Sequence, residues 1–173
     1  MRAVKFGFAI STLTLGMTMV PVAAAAAASF VPEGQVSPLA RQTRYYCENI
    51  PGIGYCVDAR PSGLIPCPSG RICLYTDENF RGMQVSWPKG NYHPDFDHIP
   101  CPDGYCRNST GTGEHDFNDE VSSWANNATG ITYCVSYGRN GGNPDTAMPS
   151  GLQDNVIAEG WHDVISSLST SGC

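Results

Sequence analysis

Three oxygen-bearing side chains within residues 118–122 have the chemistry of a calcium site. Asn118 carries an amide oxygen, Asp119 a carboxylate and Ser122 a hydroxyl. Calcium takes roughly 6–8 hard oxygen ligands, and backbone carbonyls and water can complete such a shell. Residues 94–120 are rich in acids and contain Arg107 as their sole Lys or Arg, so the local negative potential favours a cation. The alternative is that these side chains bond to backbone groups at a turn and strand entry.

The elements that would position these residues occur twice along the chain. Residues 117–124 consist of an aromatic, two polar residues, two spacers, Ser-Ser and an apolar residue, and residues 161–168 follow the same pattern. Each stretch comes after a strand-like segment that begins at a cysteine, Cys73 in the first case and Cys134 in the second. This self-similarity predicts two copies of one structural unit.

The composition favours a turn-rich β protein. Charged residues make up 15% of the chain and aromatics 10%, which excludes a disordered chain, and the 19 Gly and 13 Pro argue against a helix bundle. Short alternating segments with turns between them, such as 83–87 and 131–137, predict a sandwich or barrel. Residues 155–157 and 164–168 are the last strand candidates. The net charge of −6 argues against nucleic acid or an anionic membrane as partner, and we expect a monomer.

The N-terminus has the pattern of a secretory signal peptide. Arg2 and Lys5 precede a mostly apolar run at 6–20, and an alanine tract follows at 23–28. The apolar run is too short for a membrane span, although an uncleaved anchor is the alternative. We expect cleavage after Ala28, and therefore a secreted protein that leaves the membrane.

The cysteines predict a disulfide-stapled fold. An even number of cysteines in a small exported chain indicates disulfides, and parity alone leaves many pairings open. Turns that contain Pro and Gly bring three pairs of cysteines into bonding range, and the two remaining cysteines are left as a fourth pair. A zinc site is the weaker alternative, because no C-x2-C motif occurs and no histidine has zinc-ligand spacing with a cysteine. The expected pairs are Cys47–Cys56, Cys67–Cys73, Cys101–Cys106 and Cys134–Cys173.

The segment from Tyr75 through Phe80 to Gly82 resembles the Greek-key signature of the βγ-crystallin superfamily, an aromatic, four residues, an aromatic, one residue and glycine. The resemblance implies an all-β, βγ-crystallin-like double Greek-key sandwich at 67–173. Copy one would cover 67–130 and copy two 131–173, and 29–66 would form an N-terminal extension with a small stapled loop. The second copy departs from the signature, because Gly141-Gly142-Asn143 stands where an aromatic and a glycine are expected.

The resemblance also bears on calcium. The family's motif, Asn/Asp, Asn/Asp, two spacers, Ser/Thr and Ser, is matched in full at 118–123 and, except for its first position, at 162–167. Because the family shares ligands across its two copies, Asp163 and Ser166 would complete the set begun by Asn118, Asp119 and Ser122. One Ca²⁺ site is expected rather than two, since His162 replaces an oxygen ligand in the second copy.

More narrowly, the opening from Cys67 to Tyr75 resembles peptidase inhibitor family thirty-six, small secreted inhibitors of metalloproteases with a crystallin-like fold. This implies that the protein is not an enzyme, that its partner is a secreted protease, and that a rigid exposed loop enters the protease cleft. The glycine-rich turn at 138–143 is one candidate for that loop. The other is the disulfide-closed turn, with Tyr105 as its apolar anchor, and its residues are Pro102, Asp103, Gly104 and Tyr105.

Two other functions compete with inhibition. A calcium-binding structural or killer-toxin-like protein would share the fold without acting on a protease. A small secreted hydrolase has less support, because no Gly-x-Ser-x-Gly elbow is present and acidic loops more often face solvent or bind cations.

Overall fold

The computed structural model describes residues 42–107, 115–142, 145–171 and 173. The expected signal peptide at 1–28 and the start of the extension, 29–41, lie outside the described residues. Nine strands and one turn of 3₁₀ helix, Phe96–His98, are present in the described part, and no helix there is long and apolar enough to cross a membrane. The strands are β1 (Arg44–Glu48), β2 (Tyr55–Ala59), β3 (Arg71–Asp77), β4 (Arg81–Pro88), β5 (Ser123–Asn126), β6 (Tyr133–Ser136), β7 (Asp145–Met148), β8 (Gln153–Asp154) and β9 (Ser167–Ser169).

The strands form two antiparallel sheets. The first has the order β1-β2-β4-β3-β5-β8, and the second has the order β7-β6-β9. The main hydrophobic core draws residues from both sheets, with Leu74, Val85 and Trp87 from the first and Val135 and Leu168 from the second. A smaller cluster contains Tyr75 of β3, Ala125 of β5 and Ile65. Strands β3 and β4 therefore have almost no exposed interior position, and their buried residues include the polar Thr76, Gln84 and Ser86 besides the apolar ones.

Each copy contributes a short segment to the sheet of the other. Strand β8 belongs to the second copy in sequence but pairs with β5 of the first, Trp124 opposite Asp154. In return, His93 of the first copy forms an antiparallel bridge with Leu168 in β9. This exchange makes the two copies one folding unit, because neither sheet is complete without the other copy. The all-β fold with its double Greek-key arrangement is thereby confirmed.

The aromatic signature of the first copy forms a folded hairpin between β3 and β4. Asn79 and Phe80 have φ of 58° and 59°, and Gly82 has φ of 79°. The rings of Tyr75 and Phe80 meet edge to face with centroids 5.5 Å apart. A Cβ at position 82 would lie 2.4 Å from the Thr76 hydroxyl, so glycine is required both by space and by backbone conformation.

The segment that the sequence presents as an extension contributes two strands to the first sheet. Strands β1 and β2 form a hairpin with Cys47 opposite Cys56, and β2 pairs with β4, Val57 opposite Val85. Val57 and Tyr55 belong to the core. The described part of the extension, from residue 42 onward, is thus built into the sandwich.

All four expected disulfides are present, and no described cysteine is free. The strand expected at 155–157 is wrong, since the pairing strand is Gln153–Asp154, just before it. Strand Asp145–Met148 was not anticipated from its sequence. Both are short, so cross-strand partners rather than local β propensity determine them.

Candidate functional site

Two aspartates at equivalent positions lie in left-handed turns that face each other. Asp119 has φ of 56° and Asp163 has φ of 55°, a conformation that aspartate tolerates better than most residues. The Asp119 N–H donates to the Ile165 carbonyl at 3.1 Å, and the Asp163 N–H donates to the Val121 carbonyl at 3.1 Å. The turns are therefore related by an approximate two-fold symmetry and are joined through their backbones.

The side chains of these turns cross between copies in the same way. The Ser166 hydroxyl donates to Asp119 Oδ1 at 3.2 Å, and the Ser122 hydroxyl lies 3.2 Å from Asp163 Oδ1. Ser122 also donates to the Thr76 carbonyl at 2.8 Å, so its single proton is divided between two acceptors. The structure thus places Ser166 beside Asp119 and Ser122 beside Asp163, although more than forty positions separate the two members of each pair.

Asn118 completes the surroundings of the Asp119 carboxylate. Its Nδ2 donates to Asp119 Oδ2 at 2.9 Å, and its backbone N–H donates to Asp116 Oδ1 at 3.0 Å. Burial raises the pKa of Asp119, and the nearby Asp163 carboxylate adds to this, whereas hydrogen bonds from Ser166 and Asn118 oppose it. Burial also raises the pKa of Asp116. Two partly buried carboxylates, Asp116 and Asp119, therefore lie close to each other here.

The two carboxylates differ in their charged neighbours. Asp163 lies 2.9 Å from His162 Nδ1 and 4.0 Å from an Arg107 nitrogen. No ion pair to Asp119 occurs among the described residues. A hard cation would therefore meet less competition at Asp119, where the carboxylate and the Ser166 hydroxyl are oxygen donors of the kind calcium takes and the Asn118 amide would have to turn its oxygen toward the ion. Within the described ranges no three His, Cys, Asp or Glu side chains are grouped to hold a metal, so such a site would depend on one carboxylate with neutral oxygens.

The second serine of each motif has a structural role. Ser123 donates to the Asp77 carbonyl at 2.8 Å and accepts from the Phe80 N–H at 3.1 Å. Ser167 does the same in the second copy, donating to the Gly138 carbonyl at 2.7 Å and accepting from the Gly141 N–H at 3.2 Å. Gly141 is therefore the equivalent of Phe80, and the second copy forms the same turn without the aromatic signature. Flexible glycines replace the aromatic residue at positive φ.

The disulfide-closed turn at 101–106 differs from the expectation. Tyr105 is 2% exposed and belongs to the core, and its hydroxyl donates to the Gln42 carbonyl at 3.0 Å. The expectation that Tyr105 is an outward apolar anchor is wrong, because burying the ring stabilises the turn more than exposure would. Pro102 is half-buried, and the exposed tip consists of Asp103 and Gly104.

The turn at 137–142, which we call the braced loop, is exposed and held from two sides. Besides its bonds to Ser167, the Asn140 N–H donates to the Pro94 carbonyl at 2.6 Å. The Arg139 guanidinium pairs with Asp97 and lies 3.5 Å from Asp95. The glycines of this turn made it recognisable from the sequence. The carboxylates that support it lie about 40 residues earlier, and no sequence pattern connects them to the turn.

An aromatic pair flanks the braced loop. Tyr137 is 36% exposed and packs edge to face against Trp161 with ring centroids 4.6 Å apart. The loop therefore combines a rigid backbone, an exposed charged side chain and an adjacent apolar ring. These are features of a surface that binds another protein with little ordering cost.

Comparison with known proteins settles the family. Residues 61–147 match the model of peptidase inhibitor family I36. The chain belongs to this family. Membership in I36 supports an inhibitory rather than a catalytic role, and a protease as the partner. The I36 match includes the braced loop and the turn that contains Asp119 and Ser122, which we call the first Ser-Asp turn. It ends before Asp163 and Ser166.

The remaining comparisons are of two kinds. A solved structure described as "Evolution of the eye lens beta-gamma-crystallin domain fold" is 19% identical to this I36 member, with a TM-score of 0.47. It covers 66% of the present chain and 93% of its own. Among curated proteins, none shows a significant match.

Proposed function

We propose that this I36 protein is a secreted inhibitor that blocks the cleft of a metalloprotease with a rigid exposed loop. The observation that carries the proposal is the family match over residues 61–147. The resemblance of the opening at 67–75 to metalloprotease inhibitors favours that protease class. Export is supported by the N-terminal pattern and by four disulfides, which persist in an oxidising environment.

The braced loop is the part of the surface we assign to the protease cleft. It lies inside the I36 match, and its backbone is held by Ser167 and by the Pro94 carbonyl before any partner arrives. A loop that is already ordered loses little conformational entropy on binding and resists the rearrangements that lead to cleavage. The turn formed by Pro102, Asp103, Gly104 and Tyr105 offers less, because its large side chain faces the core.

A panel of proteases tests this function. Purified mature protein would be titrated against a thermolysin-like metalloprotease and a subtilisin-like serine protease, with residual activity measured on a small substrate. We expect saturable loss of the metalloprotease activity and none of the serine protease activity. Inhibition of the serine protease alone would overturn the class assignment, and no inhibition of either would overturn the function and favour a structural or toxin-like role.

Calcium binding at the first Ser-Asp turn is a second proposal for the same molecule. The reciprocal contacts of Ser166 with Asp119 and of Ser122 with Asp163 support it, as does the nearness of the Asp119 and Asp163 carboxylates, whose like charges a cation would neutralise. Asp119, Asn118 and Ser166 would hold the ion, with Asp163 and Ser122 completing the neighbouring turn. Bound calcium would link the two copies and stabilise the sandwich.

A further inference from the structure

We propose that His93 is an acid-sensitive contact between the two Greek-key copies, and that its protonation withdraws support from the braced loop. The first half of this proposal concerns stability and stands by itself. The second half rests on the proposed inhibitory function, since it concerns the regulation of the same loop.

His93 lies where the first copy meets the second sheet. Its N–H donates to the Leu168 carbonyl at 2.9 Å, and the Leu168 N–H donates back to the His93 carbonyl at 2.8 Å. This bridge is isolated, with no named strand around His93 to reinforce it. Besides this bridge, the Phe96 N–H donates to the Ser166 carbonyl, just before β9, at 2.9 Å. The contact of residues 93–96 with the second copy therefore depends in part on how well the His93 side chain is accommodated.

That side chain is buried among aromatic rings. His93 is 5% exposed, and its ring centroid is 5.5 Å from Tyr55, 6.0 Å from Phe96 and 6.3 Å from Trp87. Its Nδ1 has no hydrogen-bond partner in the described structure. A neutral imidazole can leave one nitrogen unprotonated, but an imidazolium must donate from both and would bring a charge into this site.

The groups around His93 offer little compensation for such a charge. Tyr55 of β2 and Trp87 of β4 face the ring, Leu168 of β9 meets His93 through its backbone, and none of these residues is charged. The attraction of an imidazolium to ring faces is smaller than the loss of its hydration.

The charged groups nearby lie on the chain just after His93. His98 repels a positive charge, and the Asp95 carboxylate attracts one but is already engaged by Arg139 at 3.5 Å and by the Asp97 N–H at 3.1 Å. Burial, with a smaller effect from His98, lowers the pKa of the His93 imidazole, and a hydrogen bond with the Asp95 backbone and the Asp95 charge oppose this only in part.

The direction of the pH effect follows from the lowered pKa. An unfolded histidine has a pKa of about 6.5. Below that pH, the form in which the His93–Leu168 bridge is open binds a proton at His93, whereas the form with the bridge intact does not. Stability at the His93–Leu168 bridge is fully present above about pH 7 and is lost as pH falls toward the folded-state pKa. The raised pKa values of Asp116 and Asp119 act in the opposite direction at lower pH, so the His93 contribution must be isolated with variants.

The bridge is connected to the braced loop through the next two residues. The Pro94 carbonyl accepts the Asn140 N–H at 2.6 Å, and Asp95 pairs with Arg139. When residues 93–95 move away from β9, the loop loses both contacts and becomes less ordered. We therefore infer that inhibition weakens in mildly acidic surroundings and recovers at neutral pH.

Amide hydrogen exchange on the full mature protein tests the first half. Protection factors of the His93 and Leu168 amides, corrected for intrinsic exchange, would be compared at about pH 7.5 and about pH 5.5. We expect wild-type protection to fall by about tenfold, the factor that corresponds to one pKa unit, and protection in His93→Leu and His93→Gln to be insensitive to pH. His98→Gln, which removes an exposed histidine with a minor effect on His93, should keep most of the wild-type fall.

Equal wild-type protection at both pH values, or the same fall in a folded His93→Leu variant, would overturn the acid-sensitive contact. If neither variant folds, the imidazole C–H shifts of the wild type decide, since His93 should remain neutral at about pH 6, where an imidazole in an unfolded chain is largely protonated. Inhibition constants at the two pH values test the second half. Unchanged inhibition together with reduced protection would overturn the link to the loop, whereas absence of inhibition at any pH would overturn the proposed function and leave the exchange result intact.

Discussion

The Ser166 hydroxyl donates a hydrogen bond of 3.2 Å to the carboxylate of Asp119, which lies 47 positions earlier in the other Greek-key copy. The reverse contact, between Ser122 and Asp163, has the same length. Together with the exchange of β8 and His93 between the sheets, these contacts mean that each copy supplies groups on which the other depends. The two halves should therefore unfold in one cooperative transition.

Replacing Asp119 with asparagine should separate charge from shape at the first turn. Asparagine tolerates the positive φ of Asp119, so Asp119→Asn is expected to fold and, without calcium, to melt slightly above wild type because a partly buried charge is removed. Calcium should raise the wild-type Tm by mass action and leave the variant unchanged. Melting curves with calcium and with chelator measure both effects.

The pH dependence of that variant has a defined sign. Because the folded-state pKa of Asp119 is raised, its destabilising charge is fully present at neutral pH and disappears as pH falls through that pKa toward 3.8. The difference in Tm between Asp119→Asn and wild type should therefore shrink on acidification. Asp163→Asn is the control, expected to keep the calcium response since His162 and Arg107 already contact Asp163. A calcium shift retained in Asp119→Asn would refute the site.

Gly82→Ala should destabilise the protein more than Gly90→Ala does. Both glycines have positive φ, 79° and 89°, but a Cβ at 82 would meet Thr76 and Asp77 atoms within 3 Å whereas nothing lies within 4 Å of one at 90. We expect a loss of about 3 kcal/mol at position 82 and about 1 kcal/mol at position 90 in urea denaturation. Equal losses would show that backbone conformation alone governs the hairpin.

Ser123→Ala and Ser167→Ala form a matched pair for the two hairpin turns. Each removes a buried hydroxyl that donates to one backbone carbonyl and accepts from one N–H, so each should lose about 1–3 kcal/mol of unfolding free energy. Because Ser167 holds the braced loop, its variant should also inhibit less well, while the Ser123 variant should inhibit normally. Parallel denaturation and inhibition assays distinguish the two, and normal inhibition by a folded Ser167→Ala would remove the loop from the account.

Reversing the charge of Arg139 should weaken inhibition without unfolding the protein. Arg139→Glu places a carboxylate beside Asp95 and Asp97, so the braced loop should lose order and the inhibition constant should rise about tenfold, equivalent to ~1.4 kcal/mol. Glu78→Arg is the control, since Glu78 occupies the equivalent position of the first turn and is 53% exposed. Because the two substitutions change the net charge in opposite directions, shifts of equal size and opposite sign in the inhibition constant would indicate a general charge effect.

Local features of the sequence were sufficient for much of the fold. The disulfides within short Pro-Gly turns, the hairpin signature and the repeated Ser-Ser closing all depend on neighbours a few residues apart, and the structure contains each of them. Strand pairings between distant parts of the chain were not predictable from the sequence. The integration of β1 and β2 into the sheet requires the edge of β4, and strand Asp145–Met148 requires β6 as its partner.

The candidate site divides in the same way. Its oxygen-bearing residues could be named from spacing, whereas the burial of Tyr105 could not, since an aromatic flanked by cysteines fits either a core or a surface position. The support of Arg139 by Asp95 and Asp97 depends on the packing of the two copies. No periodicity in the chain connects these residues.

A stoichiometric titration tests most directly whether this chain inhibits a metalloprotease, as we propose. Mature protein would be added to a thermolysin-like metalloprotease at an enzyme concentration well above the expected inhibition constant. Residual protease activity and the intact mass of the inhibitor would both be measured. We expect a linear fall in activity to a break near one inhibitor per enzyme, with the inhibitor chain intact. Undiminished activity at a large excess of inhibitor, or rapid cleavage of the inhibitor, would contradict it.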